Sequence, residues 1–130
     1  LARRTLSYVH RELIPDDPVI WSHDHFSTLW LLTDEFLARE LAERTLKPLV
    51  GLTVKQRARL SETLLAWLET RGGAPEVAAR LGVHPQTVRY RLRQIRELWG
   101  EEMDDPDRRF ELELVLRAQR LRGALGETPR

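Results

Sequence analysis

Residues 74–99 read APEVAARLGVHPQTVRYRLRQIRELW, and this stretch decides the fold. It predicts a short helix with Pro75 at its start, a turn at Gly82, and a second helix that begins at Pro85. Proline is tolerated in the first turn of a helix, because the N–H group it lacks has no intrahelical partner there. Glycine suits a turn with positive φ, where a side chain would cost energy. Two helices joined by such a turn form a helix-turn-helix arrangement.

The second helix is predicted to be amphipathic, since its side chains sort into two faces at about 100° per residue. We expect the apolar stripe to be buried, and it comprises Val88, Leu92, Ile95 and Trp99. The opposite face carries Gln86, Tyr90, Arg93 and Glu97, with Thr87, Arg89 and Gln94 beside it. Amide, hydroxyl and guanidinium groups are those that read base edges and bind phosphate in a major groove.

Seven residues are therefore candidate DNA contacts: Gln86, Thr87, Arg89, Tyr90, Arg93, Gln94 and His84. Structural alternatives stand beside this interpretation. A solvated face would also account for Arg89 and Arg93, the Thr87 hydroxyl would stabilise the first turn, and His84 would cap the helix. Arg91 lies beside the buried stripe, so we expect its stem to pack and its guanidinium to pair with an acid, with a phosphate contact as the alternative.

Basic side chains are concentrated in the middle of the chain. The net charge is only +1, but residues 51–99 contain nine basic and four acidic side chains. Residues 1–50 and 100–130 each contain six basic and eight acidic ones. A basic middle segment would attract a polyanion. Most of its cations are arginines, which form paired hydrogen bonds with phosphate or guanine.

Helices are also predicted on both sides of this stretch. Thr33 is the expected N-cap of a helix that runs to about Leu46. Thr53 and Gln56 have the spacing of a capping box, so a long helix should follow them.

After Gly100, Asp105 should cap the last helix. We expect one face of that helix to be apolar, formed by Phe110, Leu114, Ala118 and Leu121. Trp67 and Trp99 are expected in the core.

Several function classes find little support in the composition. The chain has no cysteine, which excludes disulfides and cysteine zinc sites and agrees with a reducing cytoplasm. It shows no signal-peptide pattern and no apolar run near the ~20 residues that span a bilayer. We therefore expect a cytoplasmic protein with no membrane partner. Because the chain begins with Leu1, we expect it to be part of a longer protein.

The remaining candidate cluster is His23-Asp24-His25. Alternating histidines could bind a metal if the stretch were extended, but no third ligand is evident and Asp24 could equally cap a helix. A metal-dependent hydrolase using His23 and His25 is therefore the weaker alternative. No Ser-His-Asp set or phosphate-binding loop is found. We expect no catalytic residue, no metal and no cofactor.

Three segments together closely resemble the C-terminal domain of PucR/CdaR-type transcription regulators. They are ETLLAWL (62–68), AARLGVHPQTVRYRL (78–92) and IRELWG (95–100), and the resemblance extends over about residues 52–122. It implies a Fis-like DNA-binding fold, a bacterial regulator of catabolic genes, and an upstream ligand-responsive or nucleotide-cyclase-like domain that would bind the effector. Because a single module contacts few base pairs, we also expect a homodimer. Pro85 stands where the family often has Arg, and Gln86 where it often has Asn. These departures put the operator sequence in doubt.

We therefore predict an all-α chain: a helical bundle containing a Fis-like helix-turn-helix, preceded by a helical linker or the tail of an upstream domain. The expected limits are 1–50 for the linker, 51–123 for the DNA-binding domain and 124–130 for a disordered tail. The predicted function is sequence-specific binding of double-stranded DNA in transcription regulation, with helix 85–99 in the major groove. The alternative is a protein-interaction or dimerisation module without direct DNA contact.

Overall fold

The computed structural model describes residues 28, 30, 31 and 33–124, and its regular structure there is entirely helical. The prediction of an all-α chain is confirmed. Five α-helices have defined bounds: α1 Glu35–Thr45, α2 Val54–Glu69, α3 Ala74–Leu81, α4 Pro85–Trp99 and α5 Pro106–Ala124. Short 3₁₀ segments occupy Lys47–Leu49 and Gly100–Asp104. Predictions for residues 1–27 and 125–130, including the His23-Asp24-His25 cluster, lie outside the described residues.

The chain groups into two compact units. The helix-turn-helix unit is Arg44–Glu113, and the other unit contains the described residues up to Glu43 and from Leu114 onward. This grouping follows spatial contacts, so the predicted domain limits at residues 50 and 123 stay predictions. In the second of these units, the buried residues Leu31, Ala38, Ala118 and Leu121 form an apolar cluster.

Helix α2 begins with the predicted capping box. The backbone N–H of Gln56 donates to Thr53 Oγ1 at 3.2 Å, and the backbone N–H of Thr53 donates to Gln56 Oε1 at 3.0 Å. Each bond satisfies an N–H group that the helix itself leaves without a partner. At the start of α5, Asp105 Oδ1 accepts from the backbone N–H of Asp107 at 2.9 Å, as its predicted capping role requires.

The predicted cap of α1 is wrong by one residue. Asp34 Oδ1 accepts from the backbone N–H of Leu37 at 2.9 Å, which is the N-capping bond. Thr33 instead donates its hydroxyl to the Trp30 carbonyl at 2.6 Å. The Thr33 hydroxyl therefore bonds back to the preceding turn, and Asp34 is the residue that caps α1.

Two tryptophans make side-chain contacts within the helix-turn-helix unit. Trp99 is buried, as predicted, and its indole Nε1 donates to the Thr45 carbonyl at 2.9 Å. Trp67 is only half-buried, and the Arg109 guanidinium lies over its ring, 4.4 Å from the centroid. A cation over an indole face is attracted by the ring quadrupole, so Arg109 covers the part of Trp67 that the core leaves open.

Of the apolar residues predicted on one face of α5, Leu114, Ala118 and Leu121 pack in one cluster and Phe110 does not join it. Phe110 is 62% exposed, whereas the residues buried along α5 are Leu112, Val115, Leu116, Ala118 and Leu121. The helix supplies residues to both compact units, with the change at Leu114. Phe110 lies in the part of α5 that belongs to the helix-turn-helix unit, whereas Leu114, Ala118 and Leu121 belong to the other unit.

Replacing Thr53 by Ala should lower the free energy of unfolding by about 1 kcal/mol, because both bonds of the capping box would be lost or weakened. Urea denaturation followed by circular dichroism measures the change. Ser61→Ala in the interior of α2 is the matched control and should be neutral or slightly stabilising. An equal loss of unfolding free energy in both variants would show that removing any hydroxyl from this region has the same effect, and that the capping box makes no contribution of its own.

Candidate nucleic-acid interface

The turn between α3 and α4 has the backbone geometry that Gly82 predicts. Its φ is +68° and its ψ is 34°, the left-handed conformation that side chains disfavour. The N–H groups of Gly82 and Val83 both donate to the Ala78 carbonyl, which closes the end of α3. The chain therefore reverses within three residues, and α4 begins beside α3.

A small apolar cluster holds α2, α3 and α4 together. Its buried members are Ala66, Val77, Ala78 and Val88, and both valines are 0% exposed. Half-buried side chains surround it, namely Trp67, Ala74, Leu81, Val83 and Leu92. Protein interiors are close-packed, so a residue enclosed in this way cannot turn outward without opening the cluster. Val88 thus fixes the rotation of α4 about its own axis.

His84 caps α4. Its Nδ1 accepts from the backbone N–H of Gln86 at 3.0 Å, while Pro85 occupies the first helical position and has no N–H to satisfy. A ring nitrogen that accepts a hydrogen bond carries no proton, so the proton of the neutral imidazole is on Nε2. The exposed His84 ring therefore offers an N–H donor at the beginning of α4.

The two faces of α4 are arranged as the helical wheel predicts. Val88, Ile95 and Trp99 are buried and Leu92 is half-buried. Of the seven candidate contact residues, five are exposed: His84, Gln86, Arg89, Tyr90 and Arg93. Thr87 and Gln94 are half-buried. Tyr90 is 59% exposed, a large fraction for an aromatic side chain. Their contacts with DNA stay a prediction.

Two arginines on this face differ in their surroundings. Arg89 Nη1 donates to Gln86 Oε1 at 3.1 Å, which links two candidate contact residues one turn apart. Arg93 is exposed and has no hydrogen bond or ion pair within the described part of the chain. Arg93 therefore has all of its N–H groups available for a partner, whereas Arg89 has one of its five engaged.

Arg91 has the structural role that we expect, but its predicted acidic partner is wrong. Its Nη1 donates to the hydroxyl of Thr63 on α2 at 3.3 Å, and that hydroxyl donates in turn to the Arg59 carbonyl at 2.9 Å. Thr63 is 0% exposed. Sequence reasoning missed it, although a threonine in the apolar segment 63–68 commonly bonds back to the carbonyl four residues earlier.

Two of the four acids in the basic segment are engaged on α2 and α3. Glu69 Oε1 pairs with Arg80 Nη1 at 3.3 Å, and Glu76 Oε2 accepts from the backbone N–H of Gly72 at 2.7 Å. Glu97 is the acid on the exposed face of α4 itself. The N-terminal half of that face therefore carries cations and neutral polar groups but no carboxylate.

Other kinds of site find little support in the described residues. No group of three or more His, Asp or Glu side chains in the described ranges is placed to hold a metal ion. Within the same residues, no helix combines the length and apolar character that crossing a bilayer requires.

Residues 60–118 match the family described as the PucR C-terminal helix-turn-helix domain. This segment is a PucR-type helix-turn-helix domain. The match runs from Leu60 in α2 through α3 and α4 to Ala118 in α5. It confirms the resemblance found in the sequence. A domain of this family indicates DNA binding in transcription regulation, and the family is not a class of enzyme.

Two curated proteins are similar to this chain. One is an uncharacterized protein in the pkwA 5′ region of Thermomonospora curvata, 38% identical over 106 residues, covering 82% of this chain and 54% of that protein. The other is the purine catabolism regulatory protein of Bacillus subtilis (strain 168), 47% identical over 62 residues. Those residues are 48% of this chain and 12% of the regulator. The chain thus spans about half the length of the first and about an eighth of the second. No solved structure matches it significantly.

Replacing Val88 by Asp should unfold the PucR-type domain, because it would place a carboxylate without a partner inside the apolar cluster. We expect a loss of more than about 3 kcal/mol in the free energy of unfolding, measured by urea denaturation. Tyr90→Asp introduces the same side chain on the exposed face of α4 and should change the stability by less than about 1 kcal/mol. A folded Val88→Asp variant would mean that α4 is rotated differently.

Proposed function

We propose that the helix-turn-helix unit binds double-stranded DNA in a sequence-specific manner, with α4 lying in the major groove. One observation carries the proposal: α4 turns its apolar stripe inward and exposes amide, phenol and guanidinium groups on the opposite side. A major groove about 12 Å wide admits an α-helix, whose diameter with side chains is about 10–12 Å. The first turns of the second helix supply the base contacts in proteins of this architecture.

The exposed residues would make different contacts with DNA according to their chemistry. Gln86, Tyr90 and Arg93 follow one another at spacings of four and three residues, so they share a face of α4. On this proposal they reach base edges, with Thr87 and Gln94 at the margins of the contact. His84 would donate a hydrogen bond from its Nε2–H group to a phosphate oxygen. Cations that neutralise phosphates release counterions, so the affinity falls as salt rises.

A single helix contacts few base pairs, so we propose that the regulator binds as a homodimer. Two copies related by a twofold axis would place their α4 helices on half-sites about one turn of DNA apart. The purine catabolism regulatory protein of B. subtilis is named for the process it regulates. A role in regulating catabolic genes, through an effector bound outside this chain, is the corresponding proposal here.

The alternative, a protein-interaction or dimerisation module, is favoured by a different surface. In the unit that contains α1, Trp30, Phe36 and Leu37 are exposed by 63%, 71% and 50%. Aromatic side chains are enriched in protein interfaces. These exposed residues belong to a different unit from α4, and on this alternative the chain would make no direct contact with DNA. If a chain with Phe36→Asp still binds DNA, the exposed apolar residues are not needed for DNA binding and the two functions are separate.

Replacing Arg93 by Ala should weaken DNA binding roughly 5- to 150-fold, the range expected for a lost base contact, without unfolding the domain. Adding Arg89→Ala should weaken it further. The measurement is fluorescence anisotropy with a duplex selected by the unaltered chain. Arg39→Ala on α1 removes the same exposed charge at a distance from α4 in sequence and should change the affinity less than threefold.

Two results would contradict the proposal. One is equal weakening by Arg93→Ala and Arg39→Ala, which would indicate a general effect of net charge. The other is an unchanged affinity in the Arg89→Ala, Arg93→Ala double variant, which would mean that another surface contacts the duplex. Circular dichroism of each variant establishes that the comparison is between folded proteins.

A further inference from the structure

We propose that Arg89 sets the hydrogen-bonding character of Gln86, so that the pair selects guanine rather than adenine. This inference rests on the proposed function, since it concerns which base α4 reads. The supporting contact is the hydrogen bond from Arg89 Nη1 to Gln86 Oε1, which is 3.1 Å long and joins two exposed side chains. Residues three apart are neighbours on a helix surface, so the bond forms without any change in the backbone.

A glutamine that is free of other contacts suits adenine. Its amide oxygen accepts from the adenine N6 amino group while its Nε2 donates to N7, which gives two hydrogen bonds to one base. In this structure the oxygen of Gln86 accepts from a guanidinium instead. The guanidinium also carries a positive charge and only donors, so it disfavours the approach of another amino group. The adenine contact is therefore weakened by Arg89.

The same arrangement suits guanine. Gln86 Nε2 remains a donor, and Arg89 has further N–H groups beside it. Guanine presents two acceptors, N7 and O6, to the major groove, and its partner cytosine presents the amino donor farther across. The pair offers several donors, and the acceptor site that remains on Gln86 Oε1 lies beside the positive charge of Arg89, so the pair matches the guanine edge better than the adenine edge. Arg89 acts on Gln86 as a positioning residue and need not contact the base itself.

The backbone of Gln86 is fixed as well. Its N–H donates to His84 Nδ1 at 3.0 Å, which holds the first turn of α4 in place. With the N–H and the Oε1 both engaged, the side-chain Nε2 is the polar group of Gln86 for which the described residues provide no partner. Arg93 lacks such a bond to a neighbouring side chain, so it provides an internal comparison.

The test is selection of bound sequences from a random duplex library by the unaltered chain and by its Gln86→Ala, Arg89→Ala, Arg89→Lys and Arg93→Ala variants. The position at which Gln86→Ala loses its base preference is the one that Gln86 reads. We expect guanine there for the unaltered chain, by roughly 5- to 150-fold over adenine. Arg89→Ala should change the preference to adenine. Arg89→Lys keeps a donor and should retain guanine, and Arg93→Ala should leave this position unchanged.

Failures of the two proposals are distinguishable. If the unaltered chain enriches no sequence, the proposed function fails and this inference falls with it. If it enriches a sequence with adenine at the Gln86 position, only the inference is overturned. The inference is also overturned if Arg89→Ala weakens binding to all sequences equally, as loss of a phosphate contact would. Because Arg89 is exposed, its replacement should leave the domain folded, which circular dichroism verifies.

Discussion

The helix-turn-helix depends on the packing of Val88, whose side chain is completely buried. Its side chain fills the space between small and aliphatic residues of α2 and α3. Successive side chains of a helix point in directions about 100° apart, so one fixed inward direction determines all the others. Ile95 and Trp99 repeat the constraint in later turns. The outward direction of Gln86 and Arg93 follows from this packing and needs no interaction of its own.

The features that the sequence predicts correctly are local ones. The capping roles of Thr53 and His84 and the positive φ of Gly82 depend on residues within a few positions along the chain. The misplaced cap of α1 is a local error of one residue, whereas the other errors concern long-range packing. Phe110 does not join the cluster predicted for α5 because the two halves of that helix belong to different units, and Arg91 binds a hydroxyl because Thr63 lies opposite it. The periodic pattern of one helix contains no information on which other segment of the chain will pack against it. The DNA contacts themselves stay a prediction, since they depend on a second molecule.

The four arginines of α4 show how one residue type is divided among different roles. Arg91 joins α4 to α2 through the hydroxyl of Thr63, and Arg96 pairs with Asp104 at 3.2 Å beyond the end of the helix. Arg89 bonds to a side chain on its own face, and Arg93 has no partner among the described residues. A count of basic residues therefore overstates the charge that α4 can offer to a polyanion. The groups available to DNA lie in its first two to three turns, where readout is expected.

The two departures from the family pattern stand side by side at the start of α4. His84 Nδ1 accepts from the N–H of Gln86, the second helical residue, which is a usual target of an N-cap side chain, and Pro85 at the first position has no N–H to satisfy. Gln86 is one methylene longer than asparagine, and this extra length helps its oxygen to reach Arg89 on the next turn. An asparagine in this place would lie closer to the backbone and keep its oxygen free for adenine. If α4 enters the major groove as proposed, the bond from Arg89 would influence which base Gln86 reads, while the packing of Val88 that orients the helix is independent of it.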